Sequence, residues 1–410
     1  MSVTIKQSPK IYTPAYDPII YVVTSDKTSN NNFRYVVDVD ITGATGTPFR
    51  FKYPAHPTLG SAVIDIQNTV KQWVSDDLTT TDYGWIKNSS SFVQFNVSFG
   101  EEFDVSTTGT TVYANQTSGT VSYAWNGVLD FLPFNTYNPD GYVAVNSSTG
   151  FLTNQPSTVK IRDDENAWLY TMTSGTNDVG FMSVKTYDSN GSIITSYRVA
   201  NNFASIPNKE SRFLRFSCGT RNINLIAAAD FTVGVQPIIT ASVASYTCQA
   251  FNNSVVAVSE LQTFKVNNVC TKFTSYRFHF LNRLGGFDSF SCIKRDKKII
   301  GIERKTFKKL YGTQTSTAWS YATKERLINQ THVNLKDSIT VNSDWIDDNE
   351  AVWLEDLLHS PVVYMDDSTY GLVAVNIDTN SYEIVEAVDE KLFNISFTFN
   401  YSYERYRQSY

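Results

Sequence analysis

At 410 residues the chain is too long for one ordinary core, and at roughly 100 to 200 residues per domain it is expected to hold three. Its 26 Phe, 24 Tyr and 7 Trp, set among abundant Ser, Thr, Asn and Val, supply strands and polar loops, so the expected class is mainly β. A net charge of −6 and an isoelectric point near 5.3 exclude attraction of the whole surface to nucleic acid but leave room for a local basic patch.

The first segment, 1–156, opens with IIYVVTS and FRYVVDVDI, whose β-branched and aromatic content predicts strands, followed by FRFKYPAHP. Ser61 to Val74 reads as a helix: Ser61 offers a cap, and Val63, Ile66, Val70 and Trp73 recur at helical spacing. SFVQFNVSF resumes as a strand, after which Gly, Thr and Asn dilute the pattern up to a boundary near Pro156, with turns at Asn126-Gly127 and Pro139-Asp140-Gly141. The second segment, 157–268, contains AWLYTM, FMSVKTYD, SIITSYRVA, FLRFSCG and SYTCQAF at the spacing of an antiparallel sandwich, with a turn at Asp188-Ser-Asn-Gly191.

The third segment, 269–410, starts with two aromatic runs, KFTSYRFHFLNR and FDSFSC, joined at Leu284-Gly285-Gly286. Tyr276, Phe278 and Phe280 alternate onto one face, and Gly285 and Gly286 supply the positive φ of a tight return, which predicts a β-hairpin. A helix follows, with Ser343 or Asp344 as cap, an apolar stripe of Ile346, Trp353, Leu354, Leu357 and Leu358, and Pro361 as its stop. Strands VVYM and GLVAV come next. The chain closes on Phe393, Ile395, Phe397, Phe399, Tyr401 and Tyr403 alternating with Asn394, Ser396, Thr398, Asn400 and Ser402. The whole predicts tandem antiparallel β-sandwich-like domains with one or two short helices.

Chemistry-bearing patterns are sparse. Cys218, Cys248, Cys270 and Cys292 lack metal-ligand or redox spacing and read as buried free thiols. The N-terminal MSVTIKQSPKIYTPAYDP has no apolar run of a signal peptide, no segment reads as a membrane span, and eight N-x-S/T triplets between Asn88 and Asn400 follow from composition. Tyr364-Met365-Asp366-Asp367 has the letters of the reverse-transcriptase metal-binding hairpin, but no third carboxylate or basic template channel accompanies it, so it reads as an Asp-Asp turn. His56, His279, His332 and His359 share no ligand spacing, and His279 reads as structural. No cofactor is called for.

Charge is more informative. Lys294, Arg295, Lys297, Lys298, Arg304, Lys305, Lys308 and Lys309 with only two acids give the run 294–309 a local +6, which leaves −12 for the rest. Asp344, Asp347, Asp348, Glu350, Glu355 and Asp356 form an acidic stretch without a base. Opposite patches on one chain suit head-to-tail association of copies, with non-specific contact of the basic ribbon with DNA phosphates as the other option and an ordinary solvated surface as the third.

The series DPIIYVVTS, NNFRYVVDVD, SAVIDIQNTVKQWV, FGEEF, Trp125-Asn126-Gly127, Gly150-Phe-Leu-Thr-Asn-Gln-Pro156, FHFLNRLGGFDSFSC and WLEDLLHSPVVY resembles virion proteins of tailed phages of Bacteroidetes, including crAss-like phages. The resemblance covers nearly the whole chain. It implies a non-enzymatic subunit of the neck or tail, repeated as a ring around the DNA exit path, assembled in the host cytoplasm and touching its own copies and other neck or tail proteins such as the portal or adjoining rings. Within it the two glycines serve the hairpin, the basic ribbon serves a neighbour or the DNA path, and the helix serves packing. The alternatives are a distal-tail or baseplate protein contacting a receptor or glycan and, from another class, a tail-associated glycan-cleaving enzyme with two carboxylates roughly 5 to 9.5 Å apart.

Overall fold

A computed structural model of the chain describes residues 3–75, 78–105, 109–175, 179–203, 212–267, 272–378 and 394–406, with Asn115 and Tyr406 described by backbone alone. Strand makes up 46% and helix 10%, so the protein is mainly β, built of several sheets with three α-helices among the described residues. The chain divides into two compact units, 1–268 with 281–289, and 269–280 with 290–410. The tip of the hairpin thus clusters with the first unit and its remainder with the second. Cys270, Phe393 and the expected boundary at 268/269 lie outside the described residues.

The first unit contains two sandwich-like pairs of sheets. In one, the strands Thr4–Gln7, Ile20–Thr24 and Ser61–Asp65 face a six-stranded sheet centred on Asn31–Ile41 and Phe92–Asp104. Alternation explains the core they share: Tyr21 and Val23 from one sheet meet Tyr35, Val37, Val39, Phe95, Val97 and Phe99 from the other. In the second pair, Trp168–Met172, Phe213–Ser217 and Trp85–Lys87 form a three-stranded sheet against a six-stranded one centred on Phe181–Tyr187 and Ser245–Phe251. Leu169, Leu214 and Phe216 pack there with Met182, Val184, Tyr246, Cys248 and Phe264. Because Trp85–Lys87 pairs with Phe213–Ser217, the segments 1–156 and 157–268 share a sheet and belong to one unit. Among the described strands the pairings of Tyr12–Pro14 with Ser122–Trp125 and of Thr158–Ile161 with Gln262–Val266 are parallel.

The five strands expected in 157–268 are present, as is the turn after Asp188, whose Oδ1 accepts from Asn190 N and Ser192 N. Ser61 to Val74 differs from the expected helix. Ser61–Asp65 is a strand in which Ala62 and Ile64 are buried while Val63 is 65% exposed, and only Gln67–Val70 is α-helical. Burial of alternate residues against the facing sheet overrides the helical spacing, and Asp65 rather than Ser61 serves the helix start, its Oδ1 accepting from Gln67 N at 2.9 Å.

The second unit holds the two-stranded sheet of Thr313–Gln314 and Trp319–Ser320 and an eight-stranded sheet with the helix Asp348–His359 packed on it. Its order is Phe287–Cys292, Tyr276–Leu281, Val363–Asp367, Gly371–Ile377, Ser396–Tyr401, Ile328–Asn342, Lys297–Lys308, with Arg405–Tyr406 beside Ile328–Asn342. Phe278, Phe280, Phe397 and Phe399 meet Trp353, Leu354 and Leu357 of the helix, as both alternating patterns require. Ser343 and Asp344 do not cap the helix. Asp347 does: it accepts from Glu350 N at 2.8 Å while Glu350 Oε2 accepts from Asp347 N at 3.1 Å, a capping box. Ser343 Oγ instead accepts from Ile395 N, tying the helix approach to the residue just before the strand Ser396–Tyr401.

Candidate functional site

Two places gather the residues singled out in the sequence. The first is a junction around the hairpin tip, inside the first unit. Asn282 organises it: its Oδ1 accepts from Leu284 N at 2.9 Å and Gly286 N at 3.1 Å, and its Nδ2 donates to Leu152 O at 2.9 Å. Gly285 has a φ of +85° and lies against the Asn126 carbonyl oxygen, where a β-carbon would overlap it. Gly286 has no positive φ, contrary to expectation. A β-carbon there would stand 2.8 Å from Leu152 O and 2.9 Å from Tyr170 Cδ2, so close approach is what requires glycine.

Further bonds close the junction. Val128 N donates to Arg283 O at 2.7 Å, Arg283 pairs with Asp130 at 2.8 Å, and Thr153 Oγ1 donates to Asp288 Oδ2 at 2.8 Å. Three motifs far apart in sequence, Trp125-Asn126-Gly127, Gly150 to Pro156 and Asn282 to Asp288, therefore meet in one buried place. Burial pushes the Tyr170 phenol up, partly offset by the neighbouring Arg215 guanidinium, itself buried. Nearby, Asp17 accepts from Leu129 N at 2.7 Å, and its carboxyl is pushed up to about 6 by burial, with Asp130 adding to the rise and the Leu129 N–H opposing it.

The second place is the ribbon of Lys297–Lys308 and Ile328–Asn342 in the second unit. The strands pair antiparallel from Lys297–Thr340 to Lys308–Ile328, and Lys297–Lys308 is the edge of the sheet. Every residue of the edge strand is exposed. The register puts Lys298, Ile300, Ile302 and Arg304 on the face that, at Ile339 and Val341, carries core residues. Beyond the core this face stays open, with Ile300 57% and Ile302 46% exposed. At its root lies a cleft of about 610 Å³ lined by Ile302, Leu335, Tyr401 and Tyr403 together with the charged Glu303, Lys336, Asp337 and Glu404, the two tyrosines stacked at 5.1 Å. The ribbon's far end carries a cluster of Tyr311, Trp319 and Tyr321. Counting charges in the sequence misses this apolar content, although the Ile-Ile-Gly-Ile between lysines on a sheet edge signals it.

The two charged patches divide differently from their sequence runs. Lys294 pairs with Asp344 at 3.0 Å, joining the basic run to the acidic one within the chain. Lys298 stands 4.0 Å from Asp296. Arg295, Lys297, Arg304, Lys305, Lys308 and Lys309 are exposed and make no ion pair among the described residues. Of the acids, Glu350 and Asp356 are buried, Asp347 caps the helix, and Asp348 and Glu355 share its outward face with Val352, which is 59% exposed.

Asp366 and Asp367 end a strand. Asp367 Oδ1 accepts from Thr369 N and Tyr370 N in the turn expected there, and Asp366 Oδ2 lies 3.8 Å from Nε2 of the buried His279. Cys218, Cys248 and Cys292 are buried and in no disulfide, and burial pushes the thiols of Cys248 and Cys292 up. Among the described residues no group of three or more His, Cys, Asp or Glu is placed to hold a metal ion, and no helix is long and apolar enough to cross a membrane.

Comparison with protein-family models and with curated proteins finds no match to this chain. The reading of its role therefore rests on its own residues.

Proposed function

We propose that the chain is a non-enzymatic structural subunit of a tailed-phage virion, a ring-forming component of the neck or tail around the DNA exit path. The resemblance in sequence motivates this reading, and one observation supports it: three of the motifs behind the resemblance, Trp125-Asn126-Gly127, Gly150 to Pro156 and the turn at Asn282 to Asp288, meet at one buried junction, where Asn282, Gly285 and Gly286 fix backbone geometry. Motifs with that role suit a structural scaffold, in which a hairpin tip held by several hydrogen bonds and one ion pair resists local opening.

Immunogold labelling of purified virions with an antibody against the chain tests the proposal. Label at one vertex, near the tail base, is the expected result. Label at the far tip of the tail favours the receptor-contacting alternative, and recovery only in particle-free fractions overturns the virion reading.

A further inference from the structure

The ribbon presents two features at once that a solvated arm does not need. Its six unpaired basic side chains would suit any anionic partner, but Ile300 and Ile302 lie between Lys298 and Arg304 on the same face, above a cleft walled by Tyr401 and Tyr403. Nucleic acid phosphates gain nothing from aliphatic side chains, whereas a protein surface that is apolar at its centre and acidic at its rim gains from both. The chain itself carries such a surface. The outward face of the helix Asp348–His359 places the exposed Val352 between Asp348 and Glu355, one turn before and nearly one turn after it, and Trp345, 55% exposed, precedes the helix.

We propose that the ribbon of one copy holds the outward helix face of the next copy, with Val352 and Trp345 against Ile300, Ile302 and the cleft, and Asp348 facing the ribbon's basic side chains. This rests on the reading of the chain as a ring-forming subunit and names the contact that builds the ring. The two surfaces differ, so the contact is heterologous: each copy offers a ribbon to one neighbour and a helix to the other, the arrangement that builds a ring when the rotation between copies closes. Apolar side chains in the middle supply affinity, and the charges at the edge set orientation and steer encounter.

The test uses two variants of the full chain, both altered at exposed positions. Ile300→Lys with Ile302→Lys blocks the ribbon, and Val352→Lys with Asp348→Lys blocks the helix face. Unchanged melting temperatures establish that each still folds. Sedimentation and native mass spectrometry then compare wild type, each variant alone and an equimolar mixture.

The expected result is an oligomer for wild type, a monomer for each variant, and a species of twice the chain mass, and no larger, in the mixture, because one intact ribbon remains for one intact helix face. Two variants that assemble as wild type does overturn the contact while leaving the ring reading in place. A wild-type chain that stays monomeric at every concentration overturns the ring reading and the contact with it. An Ile300→Lys with Ile302→Lys variant whose mass distribution is unchanged but whose non-specific DNA binding is tightened assigns the ribbon to nucleic acid and overturns the contact as well.

Discussion

Gly285 sits against the carbonyl oxygen of Asn126 so closely that any β-carbon on it would overlap that oxygen. The position is also one of positive φ, +85°, so a substitution meets strain and collision together. Left-handed strain alone costs about 1–3 kcal/mol for a non-glycine residue. Gly285→Ala is expected to cost about 3 kcal/mol or more, lowering the melting temperature of the first unit by about 6 °C or more. Gly286→Ala, with ordinary φ and contacts of 2.8 and 2.9 Å to relieve, is expected to cost about 1–3 kcal/mol. Calorimetry ranks the two, and equal melting of Gly285→Ala and wild type would remove the junction as a constraint on the fold.

Asn282 makes a second prediction about the same place. It is buried, and it satisfies two backbone N–H groups and one carbonyl that have the tip's geometry in common. Each buried polar group left without a partner costs about 1–3 kcal/mol. Asn282→Ala is therefore expected to destabilise by about 2–4 kcal/mol in denaturant titration, and to raise amide exchange at Leu284 and Gly286 well beyond that of the strands on either side. A loss confined to a few tenths of a kcal/mol would show that the tip is held by packing alone.

The parts of this fold legible in the sequence are those where one periodicity acts without a rival. Phe278, Phe280, Phe397 and Phe399 alternate with polar neighbours and are all buried, and Trp353, Leu354 and Leu357 form the helix stripe. Ser61–Asp65 was hidden because its inward residues include the small Ala62, while Val63, Ile66 and Val70 imitate a helix face until the facing sheet decides between them. The junction was illegible for a different reason. Alternation fixes which face a residue takes but not which distant segment it meets, so nothing in Trp125-Asn126-Gly127 or Gly150–Pro156 announces Gly285. The ribbon was half legible, since its charge lies in the sequence, whereas the exposure of Ile300 and Ile302 depends on the strand pairing that leaves Lys297–Lys308 at an edge.

The helix cap offers a separation between neighbours of similar type. Asp347 and Glu350 exchange backbone hydrogen bonds, and Asp344, three residues upstream, pairs with Lys294. Asp347→Ala is expected to cost about 0.5–2 kcal/mol, with Asp347→Asn nearly restoring wild-type stability because its side-chain oxygen still accepts from Glu350 N. Asp344→Ala removes a solvent-accessible pair and is expected to cost under about 1 kcal/mol, less at high salt. Thermal melts of the three variants at low and high salt check both statements, and an Asp344→Ala loss equal to that of Asp347→Ala would return the capping role to the earlier residue.

Asp17 makes stability depend on pH in a direction opposite to that of most acidic side chains. Its folded-state carboxyl is raised from an ordinary 3.8 to about 6, first by burial and further by Asp130, against the Leu129 N–H that favours the charged form. The folded protein therefore holds the proton more tightly than the unfolded chain. The stability this group contributes is full below about pH 4 and is lost as pH rises through about 6. In Asp17→Asn the side-chain oxygen still accepts from Leu129 N, and nothing titrates. Urea midpoints measured from pH 4 to pH 7 are expected to fall more steeply for wild type than for the variant, with the variant the more stable of the two at pH 7. Parallel curves would place the ionised Asp17 in an environment as well solvated as the unfolded chain, and the buried position between Leu129 and Asp130 would then have no consequence for pH.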